Sequence, residues 1–589
     1  MPRIRTLIAT AALLSISSSQ AFATGTISGT VFNDYNSNGT FDTTATLANA
    51  GGGTVGVAVD TGVSGVTVTA YDGAGTAVGT TTSTTNGTYT LTATGTGPYR
   101  IEFTTIPSGF KPSFHGTNSG TTVQFVPDGV STNVSLGIAR PADYCQNNPT
   151  LVTNCYNMGN QLNSSNSPFL DVSGRAAIHA FPYASGALTT PGALAPAATS
   201  VATASQVGST WGLAYSRTSK QVFTGAFFKR HAGFGPGKDG VGQSGASTSG
   251  DDAGAIYVLN ASGGLATTFT VPGAPTNAHD TTDYDRDNGE IGWDAVGKTA
   301  LGGLAMSDDD RTLYAMSLEN RTLYALDPAD GSVIASRQVP LSVPGCASAD
   351  DVRPFAVKYH QGSVFVGMVC SAESSQNVSD LHAYVYQADP TSLAFGAAPA
   401  FQFALNYPRG NVLTPGPPAD WLPWFPTMRT NDSAATGSYP QPILTDIEFD
   451  GDNLVIGLRD RSSDQFGWNN LDNPANSTLY AGIPGGDTVR ACGSLAGGWT
   501  LESNGRCGGL GTSIQNTGQG PGNGEYYFAD GYSYFHDELS LGGLAQVPGF
   551  PDVLSTVFDP RTQSDNLIFD TGVRWWNNST GALLSLIHI

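Results

Sequence analysis

Charge is the first thing this chain lacks. Asp, Glu, Lys and Arg make up only 12% of it, about half the ~25% usual in soluble domains. What charge there is leans one way. Against 47 acidic residues stand 26 basic ones, a net charge of −21, which excludes the basic face of a nucleic-acid binder. Glu, Lys, Leu and Ala at helical spacing over any length are missing, and that excludes a helical bundle. Beyond one short segment near the start, no apolar run approaches the ~20 residues of a membrane span. Motifs that carry chemistry are missing as well. The eight histidines form neither H-E-x-x-H nor H-x-x-x-H. No G-x-S-x-G stands between a strand and a helix, and no Gly-rich loop opens a helix to cradle a phosphate. The six cysteines include no C-x-x-C, so a zinc ribbon or thiol-redox motif is not expected. These absences argue against an enzyme.

What is present is turn chemistry and short strands. The chain has 74 glycines, with a hydrophobic fraction of 39% that is ample for a core and too high for global disorder. The composition predicts an all-β protein. Residues 1–23 read as a secretory signal peptide: Arg3 and Arg5, an apolar run from Leu7 to Ile16, and an Ala21-Phe22-Ala23 cleavage site before Thr24. Export permits disulfides. The cysteines fall into three sequence-local pairs, Cys145/Cys155, Cys346/Cys370 and Cys492/Cys507, and that connectivity is expected. At the other end, residues 584–589 match a translated transposon-end sequencing adapter, so the reading frame is expected to be interrupted near Leu584.

Residues 24–140 predict a small sandwich. Alternating strands run over Thr26–Phe32, Val66–Tyr71, Ala77–Thr82, Gly87–Leu91, Tyr99–Phe103 and Asn133–Gly137, with turn signals at Asp72-Gly73 and Asn86-Gly87. About seven short strands in about 115 residues match an immunoglobulin-like β-sandwich. The first strand runs into Asp34-Tyr35-Asn36-Ser37-Asn38-Gly39-Thr40-Phe41-Asp42. Side-chain oxygens at loop positions 1, 3, 5 and 9, glycine at 6 and a carbonyl at 7 are what a calcium loop needs. Ala45 stands where an EF-hand has its bidentate glutamate, so a further ligand must come from elsewhere, Asp60 or Asp128.

The stretch from Ile27 to Gly39, with Gly62–Val68 and Thr85–Tyr89, resembles the B-type repeat of bacterial serine-aspartate-repeat surface proteins. That resemblance implies a β-sandwich stiffened by structural calcium in a surface stalk. It implies Asp34, Asn36, Asn38, Thr40 (through its carbonyl) and Asp42 as ligands, with Asp60 at the family's usual acidic position. A Gly/Ala/Thr-rich insertion from Thr43 to Val59 departs from the family.

Residues 143–583 predict a β-propeller of about five to seven blades. The clearest unit strings Leu301–Ser307, Arg311–Met316, Thr322–Asp327 and Ser332–Ser336, four short strands in about 40 residues. Other units open near Trp211, Pro354, Leu444 and Asp552, and Arg175–Tyr183 is expected to close the ring against the last blade. A right-handed β-helix is the alternative, though its repeats are shorter and more regular. Four spots invite a site. The acidic loop Asp283–Glu290 offers alternating aspartates. Lys229-Arg230-His231 is the one dense basic spot, Arg459-Asp460-Arg461 with Asp464 and Gln465 reads as a network tying neighbouring blades, and Trp421, Trp424, Phe425, Trp575 and Trp576 stack on a sugar or partner protein or pack as loop core. The expected function is a secreted or cell-surface structural and adhesion protein. Its partner is an extracellular protein or glycan, with no nucleic acid and no membrane span. The alternative is a secreted propeller enzyme acting on polysaccharide or phosphoesters, with metal in the acidic loop.

Overall fold

The computed structural model describes residues 24–48, 53–159, 172–185, 198–238, 252–273, 279, 287, 289–412, 418–429, 436–470, 478–511, 518–528, 530–531, 537–558 and 571–588. Residues 1–23, expected to be a signal peptide, and most of the acidic loop at 283–290 lie outside the described residues. The fold is mostly strand; the longest described helix is Gly289–Ala295. Two compact units are present. Among described residues, one comprises 24–43 and 60–144, the other 44–48 and 53–59 together with everything from Cys145 onward.

The first unit has two sheets over one core. In one, Gly25–Asn33 is central, flanked by Val130–Ser131, Leu136–Ala139, Thr61–Gly62 and Thr88–Ala93. The other runs Val123–Val126, Tyr99–Thr104, Thr67–Tyr71, Ala77–Thr82. Alternation decides which side chains face inward. Tyr89, Leu91 and Ala93 are buried between exposed threonines, and they meet Ile27, Val31, Val68, Ile101 and Phe103 in a single cluster. The Asp72-Gly73 turn closes a hairpin, with Asp72 Oδ1 accepting from the N–H groups of Ala74 and Thr76. Asn86-Gly87, expected to do the same, instead carries the chain from one sheet to the other. Gly87 has φ +74°, and a Cβ there would lie 2.1 Å from Val31 O, so only glycine fits. The insertion also behaves differently from its sequence neighbours. Thr46–Ala48 pairs with Thr54–Gly56 in a hairpin that belongs to the second unit, where Gly56 N–H donates to Asp552 Oδ2 at 3.2 Å.

Among the described residues the second unit contains five four-stranded antiparallel sheets, each with its strands in sequence order. The first runs Thr210–Ser216, Gln221–Ala226, Ala255–Asn260, Leu265–Thr270, and the second Leu301–Met306, Leu313–Ser317, Thr322–Leu326, Val333–Gln338. Next come Val352–His360, Ser363–Cys370, His382–Ala388, Phe401–Ala404, then Pro442–Asp450, Asn453–Asp460, Asp487–Ser494, Gly498–Leu501. The fifth is Ser540–Gln546, Asp552–Phe558, Thr571–Asn577, Leu583–His588. A three-stranded sheet, Thr150–Asn154, Ala176–Pro182, Thr199–Thr203, precedes them. The first strand of each four-stranded sheet packs on the first strand of the next. Each of these strands also breaks register near its start, between Thr210 and Leu213, Leu301 and Leu304, Pro354 and Val357, Leu444 and Asp446, and Ser540 and Leu544. Close backbone approach explains the glycines there: a Cβ on Gly212 would lie 2.6 Å from Gly302 O, and one on Gly302 2.6 Å from Phe355 O.

Three expectations are corrected. Asp552–Phe558 is the second strand of its sheet, because Ser540–Gln546 takes the first place. Ala176–Pro182 pairs with its own neighbours rather than with the last sheet; Phe181 and Tyr183 meet that sheet through side chains, both rings on Trp575 and the Tyr183 hydroxyl donating to Asp552 Oδ2 at 3.3 Å. Cys346–Cys370 and Cys492–Cys507 are bonded as expected, but Cys145 and Cys155 are free. Strand pairing sets the Cys155 N–H on Ala177 O at 2.8 Å and its thiol near Arg175, while the Cys145 thiol lies near Arg217, so the two sulfurs face different surroundings.

Candidate functional site

The acidic loop of the first unit is built by the end of its central strand. Asp34 is fully buried, and Asp60 nearly so. Asp34 Oδ1 accepts from Asn38 N–H at 3.1 Å and Oδ2 from Gly39 N–H at 2.8 Å. Gly39, at φ +74°, makes the sharp turn that aims both amides back at that carboxylate. Asp60 arrives from beyond the insertion and accepts from Tyr35 N–H at 3.2 Å and Asp42 N–H at 3.0 Å. The side-chain amides of Asn36 and Asn38 both donate to Asp42 Oδ2, at 3.0 and 2.9 Å. Thr40 N–H donates to Asn38 Oδ1 at 2.6 Å. The structure thus gathers Asp34, Asn36, Asn38, Thr40, Asp42 and Asp60 around one loop. Asp128 is elsewhere, accepting from Gly97 N–H and Tyr99 OH.

The donor set consists of hard oxygens, which suits calcium. The hydrogen bonds describe a loop closed on its own amides, in which Asn36 and Asn38 turn their nitrogens inward; rotation of these amides would turn their oxygens in. Asn33 Oδ1, one residue before Asp34, is buried without a hydrogen-bond partner. Burial raises the Asp60 carboxyl from 3.8 to about 7, the Asp34 and Asp42 charges add to this, and the amides of Asp42 and Tyr35 oppose it. The sign of the pH effect follows. Between 3.8 and about 7 the folded chain holds a proton that the unfolded chain has released, so stability falls as pH rises through that window. In a chelator, urea unfolding of the first unit is expected to show lower stability at pH 7.5 than at pH 5, and Asp60→Asn to flatten the slope. A flat wild-type profile would contradict this.

A second acidic group lies in the second unit, and the sequence reading missed it. Glu525, Asp530 and Glu538 bring one carboxylate oxygen each within 4.8 Å of one another, an arrangement that can bind a metal ion. Burial pushes all three carboxyls up, Asp530 to about 7; the Asp487 charge adds to it at each, and the Asp530 charge at Glu525 and Glu538.

The remaining spots of the sequence reading are structural. Lys229 Nζ donates to Asp464 Oδ1 at 2.8 Å and Ser463 O at 2.7 Å, and Arg230 Nη1 to Gln465 O at 2.6 Å. Arg459 forms a fork on Asp464 and reaches Leu541 O of the fifth sheet. Trp421, Trp424, Trp575 and Trp576 are buried. Arg409 stacks on Trp421 at 3.8 Å and Arg461 on Trp424 at 4.3 Å, so these rings are core and not a sugar platform.

Residues 25–136 match the SdrD B-like domain family, over the unit that carries the acidic loop. Across most of its length the chain is similar to colossins of Dictyostelium discoideum. It is 28% identical to Colossin-A over 598 residues, covering 96% of this chain and 5% of that one. Identity to Colossin-D is 25%, covering 78% and 45%, and to Colossin-C 25%, covering 86% and 47%. The chain therefore spans at most about half the length of these curated relatives. Among solved structures, hydrazine synthase of Kuenenia stuttgartiensis aligns at 10% identity over 69% of each chain with a TM-score of 0.27, a likeness that carries no argument.

Proposed function

We propose that this chain is a secreted or cell-surface structural and adhesion protein. In this reading the first unit is a calcium-stiffened immunoglobulin-like sandwich that acts as a spacer. The second unit is a β-propeller whose loops meet an extracellular protein or glycan. The observation that carries the proposal is the SdrD B-like match at 25–136 over the unit whose loop gathers the acidic residues. Asp34, Asn36, Asn38, Asp42 and Asp60, with the Thr40 carbonyl, would hold the ion and exchange loop freedom for rigidity.

The propeller reading is supported by the repeated sheet order, the shared register break and the packing of successive first strands. The three-stranded sheet, touching the last sheet through Phe181, Tyr183 and Trp575, would make a sixth blade and close the ring. Trp211 supports a shared axis: from the first sheet it meets Phe355 of the third and donates to Thr445 O of the fourth at 3.4 Å. The two disulfides and the B-like domain are consistent with an extracellular protein.

The test is expression of the full chain from its own start in a secreting host, followed by binding of the recovered protein to arrayed extracellular proteins and glycans. The expected result is export with Thr24 as the new N-terminus and saturable, calcium-dependent binding without turnover. Retention in the cell with residues 1–23 uncleaved would contradict the reading, as would hydrolysis of polysaccharide or phosphoester by the pure protein.

A further inference from the structure

We infer that the carboxylates of Glu525, Asp530 and Glu538 form a second divalent-cation site, one that ties a glycine-rich segment to the first strand of the last sheet. Glu538 stands two residues before Ser540–Gln546, so the strand fixes its position. Glu525 and Asp530 come from the segment beginning Gly518-Gln519-Gly520-Pro521-Gly522, which Tyr526 and Tyr527 anchor in a core cluster beside Val553 and Trp576.

Two observations beyond the clustering point to a cation. The first is an orphaned oxygen. Glu538 is fully buried; its Oε2 accepts from Arg409 Nη2 at 3.0 Å, but Oε1, in the same enclosed space, has no hydrogen-bond partner. A buried carboxylate oxygen left in that state costs stability unless something positive meets it. The second is the charge count. The carboxylates of Asp487, Glu525, Asp530 and Glu538 act on one another here, and the guanidiniums near them are Arg409 and Arg574. Arg409 is already engaged: it donates to Ala419 O, Gly485 O and Gly486 O and stacks on Trp421. Glu502 adds a further carboxylate beside Glu525, so with every carboxyl ionised negative charge outweighs the two guanidiniums, a surplus that a divalent ion would reduce.

The chemistry selects a hard cation. The cluster offers carboxylate oxygen with no histidine or cysteine in it. Its 4.8 Å spread is twice a calcium–oxygen bond of ~2.4 Å, so oxygens on opposite sides of one ion fit within it. Backbone carbonyls of a glycine-rich segment are what calcium uses to complete six to eight ligands. Bound there, the ion would hold Glu525 and Asp530 to Glu538.

The test counts ions on the full chain by equilibrium dialysis, first with Ca2+ and then with Mn2+, after stripping in chelator. The loop of the first unit is disabled by D34N/D42N, so its contribution is separable. Expected are two ions per wild-type chain, one in D34N/D42N, and none once D530N/E538Q is added. A D34N/D42N chain that keeps its circular dichroism yet binds no ion would overturn the inference. So would an ion retained in the fourfold variant. One ion on the wild type and none on D530N/E538Q would instead sink the calcium loop of the first unit and leave this site standing. If the fourfold variant fails to fold, E525Q in the D34N/D42N background is expected to weaken binding about tenfold or more, since affinity follows ligand charge, and unchanged affinity would overturn the inference.

Discussion

Replacing Arg461 with methionine is expected to lower the unfolding free energy of the second unit by about 4 kcal/mol. The side chain is fully buried. Its Nε donates to Val296 O at 2.8 Å, Nη1 to Gln441 Oε1 at 2.8 Å and Phe425 O at 3.1 Å, and Nη2 to Asp294 O at 3.0 Å. These acceptors belong to three separate stretches of chain, and the guanidinium stacks on Trp424. Methionine keeps most of the volume, so the cavity term is small. What remains is the desolvation of buried acceptors left without a donor, about 1–3 kcal/mol each and not additive. Denaturant unfolding followed by tryptophan fluorescence reads this directly, because all eight tryptophans lie in the second unit. A loss below about 1 kcal/mol would mean that water reaches these carbonyls.

The second large effect belongs to the first unit. Asp34→Ala is expected to cost about 2 kcal/mol in chelator and about 5 kcal/mol in saturating calcium. The metal-free part is the loss of two amides, Asn38 and Gly39, from a buried carboxylate. Relief of repulsion on Asp60 keeps that part small. The calcium part is about 2.7 kcal/mol at a hundredfold excess over the dissociation constant. The informative quantity is the difference between the two conditions, since a purely structural aspartate would cost the same in both.

Much of this architecture was legible from strand alternation. Ala77–Thr82 was readable to the residue, and Leu301–Ser307 overran its strand Leu301–Met306 by one, because period-two patterning bounded by Gly, Asn and Asp leaves little freedom. The loop at 34–42 was legible for the same reason, since its spacing is local. Failures came where distant packing decides. The first strand of the last sheet was missed although Leu541-Gly542-Gly543-Leu544-Ala545 repeats Leu301-Gly302-Gly303-Leu304-Ala305 letter for letter; that repeat was the available signal. Glu525, Asp530 and Glu538 carry no motif, and only the sheet that buries Glu538 makes them neighbours. The Arg459–Asp464 pair was readable as part of a network, but not Lys229, read only as a basic spot, as a second cation on Asp464. The free state of Cys145 and Cys155 was hidden because sequence proximity says nothing about the direction a strand gives to a sulfur.

Scanning calorimetry of the full chain, with and without calcium, tests the central claim that the first unit is a calcium-stiffened spacer. The first unit has no tryptophan, so its transition is the one that calorimetry records and tryptophan fluorescence does not. Calcium is predicted to raise that transition by roughly 10 °C or more, and D34N/D42N to abolish the rise. A transition that stays in place when calcium is added, or one that rises equally in D34N/D42N, would contradict the account.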